Sequence, residues 1–349
     1  MKAIAITPGK AGSARLIQMP APHPSASDVL VRTLSIGVCG TDAELAAGVI
    51  GRPPEGEDAL VIGHESLGMV VEPGTRAKEV KRGDLVVAMV RRPDNCPACR
   101  AGDADLCTKG EYTERGIFGA HGFLAEYYAD HESFLVRIPP ALSAVAILLE
   151  PASVVVKALR HAGRIQQRMA WEPKRALVLG AGTVGLLAAF LLRLRGLHVD
   201  VYSREPKTSA RVALLKQTGA HYHTAIGSSF YDFICDATGS PQVLALGVGR
   251  MAYNGIMALL GVCAEREPIP VPVGELNNRI VQHNQVIFGS VNANRCDFEQ
   301  GVQDLQDIEH RWPGLLASMI TRRVPFAQFA EALERTPDDI KVVIDVSAP

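Results

Sequence analysis

The chain has no excess of charge of either sign. Its 36 Lys and Arg stand against 37 Asp and Glu, a formal net charge of −1. No basic run is longer than the pairs Arg91-Arg92 and Arg322-Arg323. Without a basic patch there is no electrostatic footprint for nucleic acid or for an anionic membrane, so a small-molecule partner is expected. Long apolar runs are missing too. The stretches 145–156 and 186–194 are broken by Glu150-Pro151 and by Arg193, well short of the roughly 18 uninterrupted residues that a membrane-crossing helix needs. Residues 1–7 read as a strand and not as a signal peptide, which points to the cytoplasm. Internal repeats and low-complexity segments are absent. The seven cysteines are odd in number and spread over 349 residues; with no export signal they argue against a disulfide framework and for metal ligands or free thiols.

What is present changes character along the chain. At 349 residues the length exceeds what one hydrophobic core usually organises, so two domains are expected. From residue 1 to about 140, short β-rich runs (29–36, 68–71, 85–90, 126–128) alternate with Gly, Pro and Asp turns, the pattern of an all-β barrel or sandwich. After Trp171-Glu172-Pro173, strands (176–179, 199–202, 233–237, 256–260, 286–289) alternate with helices (183–195, 208–218), which implies a parallel sheet with βαβ crossovers. Two more helices, near 298–309 and 326–334, precede a last strand at 341–346. That strand has no sheet of its own and is expected to return to the first domain. The division is therefore read as 1–152, 153–292, and a return segment 293–349.

The stretch Arg175 to Gly185 is a buried strand, then Gly180-Ala-Gly182-Thr183-Val184-Gly185, then an apolar helix. In that context G-x-G-x-x-G is a phosphate cradle: the first glycine turns the chain, the second admits a pyrophosphate, the third lets helix pack on strand, and the helix N-terminus offers free N–H groups. At the end of the next strand an acidic residue would take a ribose 2′-OH, and an arginine would accept a 2′-phosphate. Asp200 lies mid-strand and Ser203 and Arg204 stand at its end, which favours NADP, while Glu205 keeps NAD open.

Cys39, in Gly37-Val-Cys-Gly-Thr41-Asp42, and His64, in Gly63-His-Glu65, can together hold a zinc ion and leave a coordination position open for substrate. Glu150 is embedded in an apolar stretch, where an ionised carboxylate needs a cation or a partner. It reads either as a metal ligand or as the cap of a helix beginning at Pro151.

These motifs, in this order and spacing over nearly the whole chain, resemble the zinc-containing medium-chain alcohol dehydrogenase family. Arg91-Arg92-Pro93-Asp94, Tyr112 to Gly116, Gly122-Phe123, Glu150-Pro151 and Gly289 to Asn292 are similar to its glucose dehydrogenase branch. The resemblance implies a GroES-like β-rich catalytic domain joined to a Rossmann doubly wound parallel-sheet cofactor domain. It implies a catalytic zinc on Cys39, His64 and Glu150, with Glu65 adjoining or entering the shell. It places a hydroxyl at Thr41 near the reacting sugar, Glu114 and Glu150 on sugar hydroxyls, and Asn292 against both cofactor and substrate. The nicotinamide half falls on Leu260-Gly261-Val262 and Ser290-Val291. The family's structural-zinc lobe has four cysteines; here Cys96, Cys99 and Cys107 remain, with Asp94 close to the place of the first, and zinc accepts a carboxylate oxygen. Val154 departs from a polar sugar contact of some relatives. The resemblance further implies a homodimer or homotetramer.

The expected reaction is hydride transfer from C1 of an aldose to NAD(P), giving a lactone. A polyol, threonine or sugar-acid dehydrogenase of the same chemistry is the nearest alternative. A non-catalytic dinucleotide-binding protein on the same scaffold is the alternative from another class.

Overall fold

In the computed structural model, which describes residues 1–263 and 269–347, burial alternates with period two along the strand Asp28–Val38, which buries Val29, Val31, Thr33 and Ser35 on one face and then every residue from 35 to 38. Such a strand suits the middle of a sheet. It pairs antiparallel with Glu65–Glu72, Tyr127–His131 and Lys341–Asp345. The full order is Leu135–Ile138, Leu85–Ala88, Glu65–Glu72, Asp28–Val38, Lys341–Asp345, Ile320–Pro325. A smaller sheet of Arg15–Gln18, Lys2–Ile6 and Leu60–Val61 supplies Ile4, Ile6 and Leu60 to the same core. The first compact unit comprises Met1–Glu150, Asn292–Leu305 and Met319–Pro349.

The second unit comprises Pro151–Val291 and Gln306–Ser318. Its six strands are all parallel, in the order His221–His223, His198–Tyr202, Arg175–Leu179, Tyr231–Asp236, Met251–Leu259, Val286–Gly289. In chain order this is 3-2-1-4-5-6, the doubly wound arrangement, whose ligand crevice lies beyond the strand ends where the order reverses. That point falls between Arg175–Leu179 and Tyr231–Asp236. The helix Thr183–Leu194 is apolar nearly all round and buries residues 185–192, as a helix enclosed by its own unit must.

Several expectations are adjusted. Residues 306–318 cluster with the second unit, so the return segment 293–349 is interrupted. The helix expected at 298–309 runs Arg295–Arg311, because the Asn294 N–H donates to Asp297 Oδ2 at 2.9 Å and starts the helix three residues early. The helix expected at 326–334 is a 3₁₀ turn, Phe326–Gln328, followed by the short Phe329–Leu333. The helix after Pro151 begins at Leu149, so Glu150 sits inside its first turn and is not its cap.

Candidate active site

Cys39 ends the central strand and precedes the helix Gly40–Ala46. Its N–H donates to Asp42 Oδ2 at 2.9 Å, so the first turn of that helix holds the cysteine in place. Asp42 Oδ1 lies 3.6 Å from His64 Nδ1, and His64 Nε2 is 3.2 Å from Cys39 Sγ. The carboxylate stands behind one ring nitrogen as a charge partner, without a hydrogen bond to it, while the other ring nitrogen faces the thiol. One donor atom each from Cys39, Asp42 and His64 lies within 4.8 Å of the others, and so do those of His64, Glu65 and Glu150. Thr41 is the second residue of the same helix, half-buried beside Cys39.

The cluster concentrates negative groups away from water. Burial pushes the Cys39 thiol up, with Asp42 and Glu65 adding to it against His64. Burial, then Glu65, raises Glu150 to about 7, although His64 and Lys341 oppose. Burial works to lower His64, but Cys39, Asp42 and Glu150 outweigh it and hold it well above the ordinary imidazole range. A sulfur, an imidazole nitrogen and carboxylate oxygens converging with surplus negative charge fit a divalent zinc.

Glu65 is held from behind. Lys341 Nζ donates to both its oxygens, at 2.8 and 2.6 Å, and both side chains are 1 % exposed. The register explains the reach: Glu65 and Lys341 lie on the two strands flanking the central one, and Gly37 stands opposite Glu65. A Cβ at Gly37 would fall 2.1 Å from Glu65 Oε2, so only glycine lets the carboxylate cross to Lys341.

Glu114 is buried on the strand Thr113–Arg115, opposite Arg91. Its Oε1 accepts from Arg91 Nε at 3.1 Å, Arg91 Nη2 at 2.8 Å and Asn292 Nδ2 at 2.9 Å. Arg91 in turn stacks over Tyr112, 3.7 Å from the ring centroid. Asn292 adopts φ +61°, a left-handed conformation that asparagine tolerates. The structure thus brings together two of the expected sugar-binding residues in a direct hydrogen bond, with Arg91 holding Glu114 from its other side.

The cysteine lobe closes on itself. Donor atoms of Asp94, Cys96, Cys99 and Cys107 all lie within 4.8 Å of one another. The Cys99 and Thr108 N–H groups approach Cys96 Sγ at 3.5 Å, and the Gly110 N–H donates to Cys107 Sγ at 3.2 Å. Hydrogen bonds from Thr108 and the Cys99 N–H bring the Cys96 thiol down to about 6, while burial pushes Cys99 up to about 11. The Cys107 thiol holds the Asp94 carboxyl well below the usual carboxylate range. Sulfurs cradled by backbone N–H groups, with one carboxylate, suit a closed tetrahedral site.

In the second unit the glycine loop takes the shape its sequence implies. Gly180 has φ +101°, and a Cβ on Gly185 would lie 2.2 Å from the Gly180 carbonyl oxygen, whereas a Cβ on Gly182 meets nothing within 4 Å. The space at Gly182, at the cap of the helix Thr183–Leu194, is where a pyrophosphate can approach. Thr183 and Val184 open that helix. Asp200 is committed to His223 at 2.9 Å, Tyr231 at 2.9 Å and Arg175 at 3.1 Å, and Glu205 lies 3.4 Å from Arg211. Asp200 is therefore not left open as a ribose acceptor, whereas Glu205 has one long contact on one oxygen and is partly exposed; Ser203 is half-buried and Arg204 exposed. Leu260, Gly261 and Val262 follow the strand Met251–Leu259, and Ser290 and Val291 follow Val286–Gly289. Both groups therefore lie at the carboxyl ends of strands, where ligands of this fold bind.

Sequence reasoning did not single out Lys341 or Lys157, and it named Arg91 only within the Arg91-Arg92-Pro93-Asp94 stretch, without a role. Lys341 opens an apolar strand and carried no signal by itself. Lys157 interrupts the apolar stretch 154–159, an oddity that was legible but pointed nowhere before its partner was known. His121 accepts from the Val61 N–H at 3.2 Å and pairs with Glu57 at 2.9 Å.

Comparison with known proteins agrees with this arrangement. A family model described as glucose dehydrogenase C-terminus matches residues 143–346, and one for the alcohol dehydrogenase GroES-like domain matches residues 25–140. The chain is 44 % identical to a glucose 1-dehydrogenase of Methanocella arvoryzae over 100 % of both chains. It is 38 % identical to one of Thermoproteus tenax over 99 % of both. Among solved structures, Haloferax mediterranei glucose dehydrogenase in complex with NADP, Zn and gluconolactone superposes with a TM-score of 0.92 at 35 % identity, covering 100 % of both chains. Galactitol-1-phosphate dehydrogenase from Escherichia coli, with a TM-score of 0.82 at 22 % identity over 99 % of this chain and 100 % of that one, shares the fold. The chain belongs to the zinc-containing medium-chain alcohol dehydrogenase family, in its glucose dehydrogenase branch.

Proposed function

We propose that this protein oxidises an aldose, glucose first among them, at C1: aldose and NADP⁺ become lactone, NADPH and a proton. The observation that carries the reading is a pair of donor clusters, Cys39 with Asp42 and His64, and His64 with Glu65 and Glu150, that share His64, in a chain that also carries an open Gly182 loop on a 3-2-1-4-5-6 sheet. Its relatives' names, and the lactone bound in the Haloferax structure, give the substrate class.

Cys39, His64 and Glu150 would hold the zinc, with Glu65 adjoining them. Bound there, zinc supplies Lewis acidity that lowers the pKa of a substrate hydroxyl. Asp42 stands behind the imidazole as its charge partner. The Lys341 ammonium, on both Glu65 oxygens, balances the charge behind the cluster. Glu114, oriented by Arg91 and Asn292, accepts from sugar hydroxyls, as does Glu150, and the Thr41 hydroxyl passes the C1 hydroxyl proton outward. Leu260, Gly261, Val262, Ser290 and Val291 receive the nicotinamide half, so that hydride leaves sugar C1 for nicotinamide C4. Holding those carbons in one orientation is the protein's main contribution to the rate. Arg204 and Ser203 take the 2′-phosphate, so NADP is preferred to NAD. Asp94, Cys96, Cys99 and Cys107 hold a second, structural zinc.

The protein acts as a homo-oligomer in the cytoplasm, without nucleic-acid or membrane partners. Support for this comes from the odd number of cysteines, seven, which suits no disulfide framework, and from exposed Tyr253, Val262, Val273 and Val281 on the second unit; among the described residues no helix is long and apolar enough to cross a membrane. The test is a steady-state screen of zinc-replete protein against glucose, galactose, xylose, sorbitol, threonine and ethanol, each with NADP and NAD. Preference for an aldose with NADP is expected. Turnover confined to a polyol or to threonine overturns the substrate assignment and retains the chemistry.

A further inference from the structure

Lys157 lies on the helix Leu149–Gln166 with 1 % of its surface exposed, and its Nζ donates to the Val291 carbonyl at 2.8 Å across 134 residues of chain. Taking an ammonium out of water is costly, and an apolar side chain of similar length would fill the space more cheaply. Packing alone does not account for the charge. Its partner is the stretch that the proposed function assigns to the nicotinamide half.

That stretch is stereochemically specific. The peptide bond between Val291 and Asn292 is trans, as are the others among the described residues, so the Val291 C=O and the Asn292 N–H lie in one plane and point in opposite directions. A carbonyl fixed on Lys157 therefore fixes the direction of the Asn292 N–H. Among the described residues, that N–H donates to no protein acceptor, and the buried Ser290 Oγ has no partner either. A donor and an acceptor left open two residues apart, on Asn292 and Ser290, match a primary carboxamide, which offers one C=O and one NH₂.

We propose that Lys157 is a positioning residue for the cofactor's nicotinamide carboxamide: by anchoring the Val291 carbonyl it sets the Asn292 N–H and the neighbouring Ser290 hydroxyl to receive that amide. The inference rests on the assignment of 290–292 to the nicotinamide half and not on the identity of the sugar.

The test uses the full-length, zinc-loaded protein and its K157M and K157R variants. Each is titrated with NADPH, by fluorescence, and with adenosine 2′,5′-bisphosphate, which carries no nicotinamide. K157M is expected to weaken NADPH binding about tenfold, the usual scale for loss of a charged hydrogen bond, and to leave the bisphosphate unaffected. It should raise the KM for NADP without a matching rise in the KM for sugar, and K157R should recover most of the loss. Unaltered NADPH binding in K157M, or equal weakening of both ligands, overturns the proposal. If K157M does not fold, K157Q undergoes the same two titrations with the same expected contrast. A parent protein that binds NADPH but oxidises no aldose would refute the substrate reading, while the paired titrations still decide the role of Lys157.

Discussion

On the proposed reading Cys39 and His64 hold the metal, so replacing either with alanine should reduce turnover by about a thousandfold or more, the scale of a lost Lewis acid. NADPH binding, measured by fluorescence, should remain, because the loop that holds the cofactor lies in the other unit. Full activity in either variant would remove the metal assignment. Glu150 makes a pH prediction. In the metal-free protein its pKa lies near 7, above the ordinary 4.5, so its proton is bound more tightly in the folded state. Between those values the folded state holds more protons than the unfolded one, and this group's contribution to apo stability falls as pH rises. Zinc needs the ionised carboxylate, so zinc affinity, read by competition with a chelator, should climb with pH through about 7 and go on climbing above it, because His64 and the Cys39 thiol, both held above their ordinary values, must also give up protons. These site residues were legible because Cys-Gly-x-Asp and Gly-His-Glu are local patterns. Lys341 was not, because its role exists only once the last strand lies beside the central one and Gly37 leaves the way open.

At the scale of elements, the glycine loop and the cysteine lobe each separate two effects. G185A drives a methyl group onto the Gly180 carbonyl, 2.2 Å away, and should cost about 1–3 kcal/mol of stability in thermal or urea unfolding. G182A meets nothing within 4 Å, so its Tm should be retained while NADP affinity falls about tenfold or more from the lost approach of the pyrophosphate. A G182A variant that unfolds early and binds NADP normally would reverse the assigned roles. In the lobe, C107A should lower bound zinc, by elemental analysis, from two per chain to one and depress Tm; a metal count already at one in the parent would leave the lobe as a hydrogen-bonded loop. The alternation of strand and helix was readable from period and glycine placement. Helix ends were less so: Asn294 with Asp297 moved one start, and Leu149 took another past Glu150.

For the molecule as a whole, the apolar side chains left exposed on the second unit bear on assembly. Val281 is 66 % exposed and Val273 is 69 % exposed, both on the helix Val273–Gln282. Sedimentation should find a dimer or tetramer, and V273K/V281K should shift it toward smaller species without loss of zinc; a parent that sediments as a monomer ends the assembly proposal. Cofactor choice is also a property of the assembled sheet. Asp200 was distrusted as a ribose acceptor only for its mid-strand position. The sheet gives the fuller reason, since His223 and Tyr231 from two other strands occupy its oxygens. R204A should therefore erode the preference for NADP over NAD, measured as a ratio of kcat/KM, by about tenfold.

Local pattern by itself determined much of this protein: a β-rich half, a parallel α/β half, a phosphate loop and the metal-binding motifs. Each of these depends on residues close together in the chain, where periodicity, glycine and turn chemistry act directly. Tertiary structure alone decided which partners complete them. Lys341 reaches Glu65 across 276 residues, Asn292 reaches Glu114 across 178, and Lys157 reaches Val291 across 134. All of these bring together buried polar groups whose desolvation must be offset by a partner, and the partner's address is set by sheet order and register, which no local stretch of sequence contains.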